Sequence, residues 1–172
     1  RLPYLLHFHR ELGVDKFFFI DNGSNDGSLE FLLGQPDCHV FGCSGNFFAA
    51  NVEPPVWSNA VRNTFSDGHW CLSLDADELF VFPRCESVSL RQFCDFVEAE
   101  GRDAVQGLVI DMYGRGPIGA TPYRRGQSFI EAFPYFDKEK GEDLPLDGGC
   151  PPVLTFSKFR ERAFWTGEHK RK

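Results

Sequence analysis

The sequence predicts an α/β sandwich built around a largely parallel sheet, and three observations carry that expectation. Amphipathic helical spacings alternate with short apolar runs along the first two thirds of the chain. Two of those runs, "DKFFFID" and "HWCLSLD", are almost continuously apolar and end in an acid, as strands covered on both faces do. The chain has 172 residues, 42% of them apolar and nineteen of them Phe, enough for one domain with a sizeable core.

Leu2, Leu5, Leu6, His9 and Leu12 fall at helical spacing, and Gly13 supplies the stop. "DKFFFID" (15–21) then reads as a buried strand. A second helix should begin near Asn25 or Asp26 and end at Gly34, with Pro36 just beyond. "CHVFGC" (38–43) is a second strand. Pro54 and Pro55 open a third helix whose face is Trp57, Ala60, Val61, Thr64 and Phe65, and Gly68 closes it. "HWCLSLD" (69–75) and "LFVF" (79–82) follow as strands, the latter closed by Pro83. Ser89 and Gln92 form a capping box for a helix that buries Leu90, Phe93, Cys94 and Val97. "AVQGLVIDMY" (104–113) is a further strand. From Gly114 to Pro152 thirteen of thirty-nine residues are Gly or Pro, the texture of a functional loop region over a sheet edge.

Net charge is −7 with no long block of one sign, which argues against a general nucleic-acid binder. Positive charge gathers only near the end, from Lys158 to Lys172, as a local anion contact or a solvated tail. Cys38, Cys43, Cys71, Cys85, Cys94 and Cys150 form no CxxC pair and no zinc ladder. Cys71 and Cys94 read as core thiols, so the expected compartment is reducing and cytoplasmic, without disulfides. No run suits a membrane span or a signal peptide, and any membrane association would come from segments outside this sequence. The opening at Arg1, directly into a helical pattern, reads as a truncated N-terminus.

Residues 17–31, "FFFIDNGSNDGSLEF", have the texture of a calcium loop. With Gly27 at the sixth position of such a loop, the twelfth is Leu33 and not the bidentate Glu the ion needs. The element before it is also a strand where the motif requires a helix. What remains is a strand ending in Asp21, a polar turn and a helix start. Ligands of open α/β sheets bind beyond the carboxyl ends of strands, and an acid there can accept hydrogen bonds from a base or ribose. The same residues also make an ordinary turn with a helix cap.

"WCLSLDADELF" repeats the arrangement with Asp75, Asp77 and Glu78 together at a strand end. Such a cluster needs water or a cation, and hard carboxylate oxygens suit Mn²⁺ or Mg²⁺ completed by a substrate's phosphates. An exposed acidic turn is the plainer alternative. Two enzyme classes place D-x-D here. Haloacid-dehalogenase-like phosphatases would use Asp75 as nucleophile and Asp77 as acid/base, but their fifth motif position is Thr or Val and here it is Leu79. Nucleotide-sugar glycosyltransferases pair the motif with an earlier strand-end acid, in the order found here.

"YLLHFHRELGVDKFFFIDNGSNDGS" and "WSNAVRNTFSDGHWCLSLDADELF", with "VIDMYGRGPI" and "PYFD" more loosely, resemble a family 2-type glycosyltransferase of the GT-A fold. The resemblance covers most of residues 4–82. It implies one glycosyltransferase domain over 1–172, with a nucleotide-binding half at 1–112 and an acceptor-side region and basic tail at 113–172. The implied fold is a Rossmann-like sandwich with a mainly parallel central sheet. The implied reaction is a metal-dependent, inverting transfer of a sugar from a nucleotide-diphosphate donor, such as a UDP-sugar, to an acceptor hydroxyl of a glycan or lipid-linked glycan.

By the same resemblance Asp21, with Asn22 and Asp26 in its turn, contacts the nucleoside, and Arg62 and Asn63 approach it from the third helix. Asp75 binds ribose or a metal-bound water, Asp77 ligates Mn²⁺ or Mg²⁺, and His169 stands near the metal or is simply solvated. The metal would act as Lewis acid on the leaving diphosphate. A carboxylate must take the acceptor's proton. Glu131, Asp137, Glu142 and Asp143 are the candidates, and Asp137 lies beside aromatic residues able to stack on a sugar. The family's first strand would precede Arg1, and a degenerate binding domain is the non-enzymatic alternative. His7 and His9, two apart, cannot share a helix face and read as structural.

Overall fold

A computed structural model describes residues 1–44, 54–105, 107, 109–117 and 122–136. The chain divides into two compact units, Leu2–Gly101 and Arg102–Lys172 (with Arg1). Its elements are α1 (Leu2–Leu12), β1 (Phe17–Asp21), α2 (Ser28–Leu33), β2 (Cys38–Gly42), α3 (Pro54–Phe65), α4 (Leu90–Ala99) and α5 (Phe129–Ala132). The protein is therefore mixed α/β, and the sheet among the described residues is the parallel pair β1–β2.

The apolar stripe of α1 buries Leu5, Leu6, His9 and Leu12, and Gly13 ends the helix at φ 106°, a value L-residues avoid. Leu5 and Leu6 pack with Phe17 and Leu32 to form the core, ringed by Val14, Phe19, Phe31 and Val40. Leu6 is 0% exposed. Each such side chain contributes about 1.5–3 kcal/mol by leaving water. Arg10, on the same helix, ties it to the loop before β2. Its Nε and Nη2 donate to the two Asp37 oxygens at 2.7 and 2.6 Å, and Nη2 also donates to Gln35 Oε1 at 3.1 Å. The guanidinium lies 5.7 Å from the Phe17 ring centre.

β1 and β2 run in register from Phe17 opposite Cys38 to Asp21 opposite Gly42. Because both strands point the same way, α2 has to serve as the crossover between them. The run 15–21 is not buried on both faces as expected. Phe17 and Phe19 turn toward the core, whereas Phe18 is exposed on the other face and stacks on His39 and Phe65. Among the described residues it is the end of α3 that reaches that face, with Phe65 against Phe18 and Phe41, so an aromatic layer covers it there.

The strands expected at 69–75 and 79–82 form no ladder among the described residues. A strand exists only with a partner, and no described segment pairs with this one. Trp70, Leu72, Leu74 and Val81 are accordingly exposed, and so is Cys71, which is not a core thiol. Side chains hold the segment instead. Trp70 Nε1 donates to Glu98 Oε1 at 2.6 Å, and the buried Phe82 stacks on Phe93 at 4.5 Å. Cys38, Cys43, Cys85 and Cys94 are partly buried and, like Cys71, free thiols. α4 starts at the expected capping box, with Ser89 and Gln92 each accepting the other's backbone N–H and Val97 buried.

In the second unit the expected strand at 104–113 is reduced, among described residues, to one antiparallel bridge between Tyr113 and Tyr135. The short α5, capped by Ser128, was not expected within the Gly/Pro-rich region. Among the described residues no helix is long and apolar enough to cross a membrane.

Candidate functional site

Asp21 ends β1, and the chain then turns sharply through Gly23, whose φ of 81° favours glycine. The Gly23 N–H donates to Asp21 Oδ2 at 3.1 Å and the Ser24 N–H to Oδ1 at 3.2 Å. Hydrogen bonding from Ser24, chiefly its side chain, and from the Gly23 amide holds the Asp21 carboxyl below the usual carboxylate range. Asn22 Nδ2 donates to Cys43 O at 3.0 Å and so ties the turn to the end of β2. Asp26 Oδ1 accepts the Ser28 N–H at 3.0 Å ahead of α2, whose N-cap is Gly27. The helix thus starts two or three residues later than the sequence indicates, with Asp26 bonding its first amide from the turn ahead of it. An ionised carboxylate has about four acceptor sites, so the turn orients Asp21 without exhausting it.

α3 meets β1 through Phe65 on Phe18. Arg62 and Asn63 are exposed on that helix, and the Arg62 guanidinium donates to Asn59 Oδ1. Asp75 and Asp77 are exposed in a turn closed by the Glu78 N–H on Asp75 O at 3.0 Å. The Glu78 carboxylate folds back to accept the Asp75 N–H at 2.9 Å. Of the three acids, Glu78 is thus committed to the backbone, which leaves Asp75 and Asp77 as the exposed carboxylates of the turn. Their oxygens are the right donors for Mn²⁺ or Mg²⁺. No group of three His, Cys, Asp or Glu side chains placed to hold an ion occurs among the described residues.

Glu131 lies exposed on α5, its N–H donating to Ser128 Oγ at 3.3 Å. Asp137, Glu142, Asp143 and His169 lie outside the described residues. Sequence reasoning missed one residue that bears on the acid turn. His9 is 3% exposed, with both ring nitrogens engaged, one of them by the Phe80 amide just past that turn. The signal was there: a histidine at a position of α1 that the helical spacing assigns to the buried stripe.

Set against protein-family models, curated proteins and solved structures, the chain matches none.

Proposed function

We propose that the chain is a metal-dependent glycosyltransferase that moves a sugar from a nucleotide-diphosphate donor, a UDP-sugar by preference, to an acceptor hydroxyl. The observation that carries this reading is the β1–α2–β2 unit with Asp21 held at its carboxyl end. That is where parallel α/β sheets receive nucleotides. In this reading the unit is the nucleotide-binding end of a GT-A-type sandwich, and the sequence resemblance adds the acid turn at 75–78 as the second half of the site. Asp21 accepts from the base or ribose, and Asp75 and Asp77 hold Mn²⁺ or Mg²⁺. The ion, when bound, neutralises charge on the leaving diphosphate. The sequence resemblance assigns the acceptor's proton to a carboxylate, Asp137 first and Glu131 or Asp143 otherwise.

Calorimetric titration of UDP with and without Mn²⁺ tests the reading. Metal-dependent binding is expected. Asp77→Asn should abolish the metal-dependent part, and Asp21→Asn should weaken binding about tenfold, the value of one charge-assisted hydrogen bond. UDP binding that ignores Mn²⁺, or that survives both substitutions unchanged, overturns it.

A further inference from the structure

His9 has partners that leave it one protonation state. Leu5 O, 2.9 Å from Nδ1, can only accept, so Nδ1 carries the hydrogen. The Phe80 amide, 3.3 Å from Nε2, can only donate, so Nε2 is bare. The second bond spans seventy-one positions of sequence. It joins α1, part of the packed core, to the backbone three residues beyond Asp77, in a segment that among the described residues has no sheet ladder.

We propose that the neutral His9 is a latch that fixes the acid-bearing segment to α1, and that a proton on Nε2 opens it. Protonation turns the acceptor of the Phe80 N–H into a second donor, so the bond is replaced by a repulsive pair of N–H groups. Burial pulls the His9 pKa below its ordinary 6.5, outweighing the Leu5 hydrogen bond. Between that lowered value and 6.5 the unfolded chain takes up a proton that the folded chain refuses. Stability from this group is therefore complete above 6.5 and falls as pH drops through the window.

The charged and titratable groups on the two elements that meet at His9 are few. On α1 they are Tyr4, His7, Arg10, whose guanidinium is turned to Asp37, and Glu11. On the segment ending at Phe80 they are Asp75, Asp77 and Glu78, the last turned to the Asp75 amide. The latch rests on the geometry alone. Its consequence for metal binding, looser placement of Asp75 and Asp77 once it opens, rests on the function proposed above.

The test is amide hydrogen exchange by NMR on the full chain, corrected for intrinsic rates, from pH 8 downward until the His9 ¹⁵N shift reports protonation. The expected result is loss of about tenfold or more of the Phe80 protection at that point while the Leu6 amide stays protected. His9→Gln, whose side-chain oxygen can accept at the Nε2 position but does not titrate, should keep Phe80 protected across the range. His9→Leu should lose that protection at every pH. The latch is overturned if Phe80 protection is unchanged when His9 protonates, if it is lost only together with Leu6, or if His9→Gln shows the same pH dependence as the parent. Failure of Mn²⁺ to bind the parent at pH 8 would instead count against the donor reading and leave the Phe80 result standing.

Discussion

The carboxyl end of β1 and the turn at 75–78 both present acids, yet they are fixed by different means. Asp21 stands on a strand paired along its length and is anchored by two amides of its own turn, with Asn22 tying that turn to β2. Asp75 and Asp77 stand on a segment that has no ladder among the described residues, fastened by Trp70 to α4 before them and by Phe80 and Phe82 after them. The lesson is that a site residue inherits precision from the element beneath it. Asp21 has a core under it, and the acid turn has three side-chain anchors.

The comparison breaks most forcefully at Leu6. Truncation to Ala in the closed contact of α1 with Phe17 and Leu32 should cost about 2–5 kcal/mol, read as a lower urea midpoint at constant slope. Since Leu6 packs on Phe17 of β1, the nucleotide binding proposed for Asp21 should fall with it. A cost under about 1 kcal/mol would mean that α1 is not the support of β1.

Next in size is the Arg10–Asp37 pair, with side chains 34% and 24% exposed. Asp37→Asn should cost about 1–2 kcal/mol, more than a surface ion pair because the contact is two-pronged and backed by Phe17. The Arg10 hydrogen bonds hold the Asp37 carboxyl below its ordinary 3.8. Its contribution is thus complete above 3.8 and lost as pH falls through the lowered value. Urea melts at pH 7 and at pH 2.5 check this: the variant's deficit should shrink at the lower pH. A deficit equal at both would show that the charge of Asp37 is not what matters.

Much of the first region was legible because its signals are local. Helical spacing and Gly13 define α1, and the Ser89–Gln92 box defines the start of α4. Asp21 was readable as a strand-end acid from the run before it. What escaped was whatever depends on a partner distant in sequence. An apolar run such as "WCLSL" states what a strand could bury but not which edge receives it, so a ladder was expected where none occurs among the described residues. The Phe80–His9 bond is invisible for the same reason. Glu78 was grouped with Asp75 and Asp77 in one acidic cluster, since nothing in its spacing reveals that it folds back on Asp75.

Leu74 gives the smallest expected effect and the sharpest question. At 37% exposure, beside Asp75, its truncation to Ala should cost no more than about 0.5 kcal/mol, a surface value. The contrast with Leu6 is the point, because both are leucines in apolar runs and only one has a neighbouring layer. Paired urea melts of Leu6→Ala and Leu74→Ala measure it. If Leu74→Ala approached the cost of Leu6→Ala, residue 74 would have to be packed in solution, and the segment would be a true strand. The acid turn would then share the rigid support of Asp21. A small cost keeps the two halves of the candidate site distinct, one on a paired strand and one on anchors that a single proton at His9 can loosen.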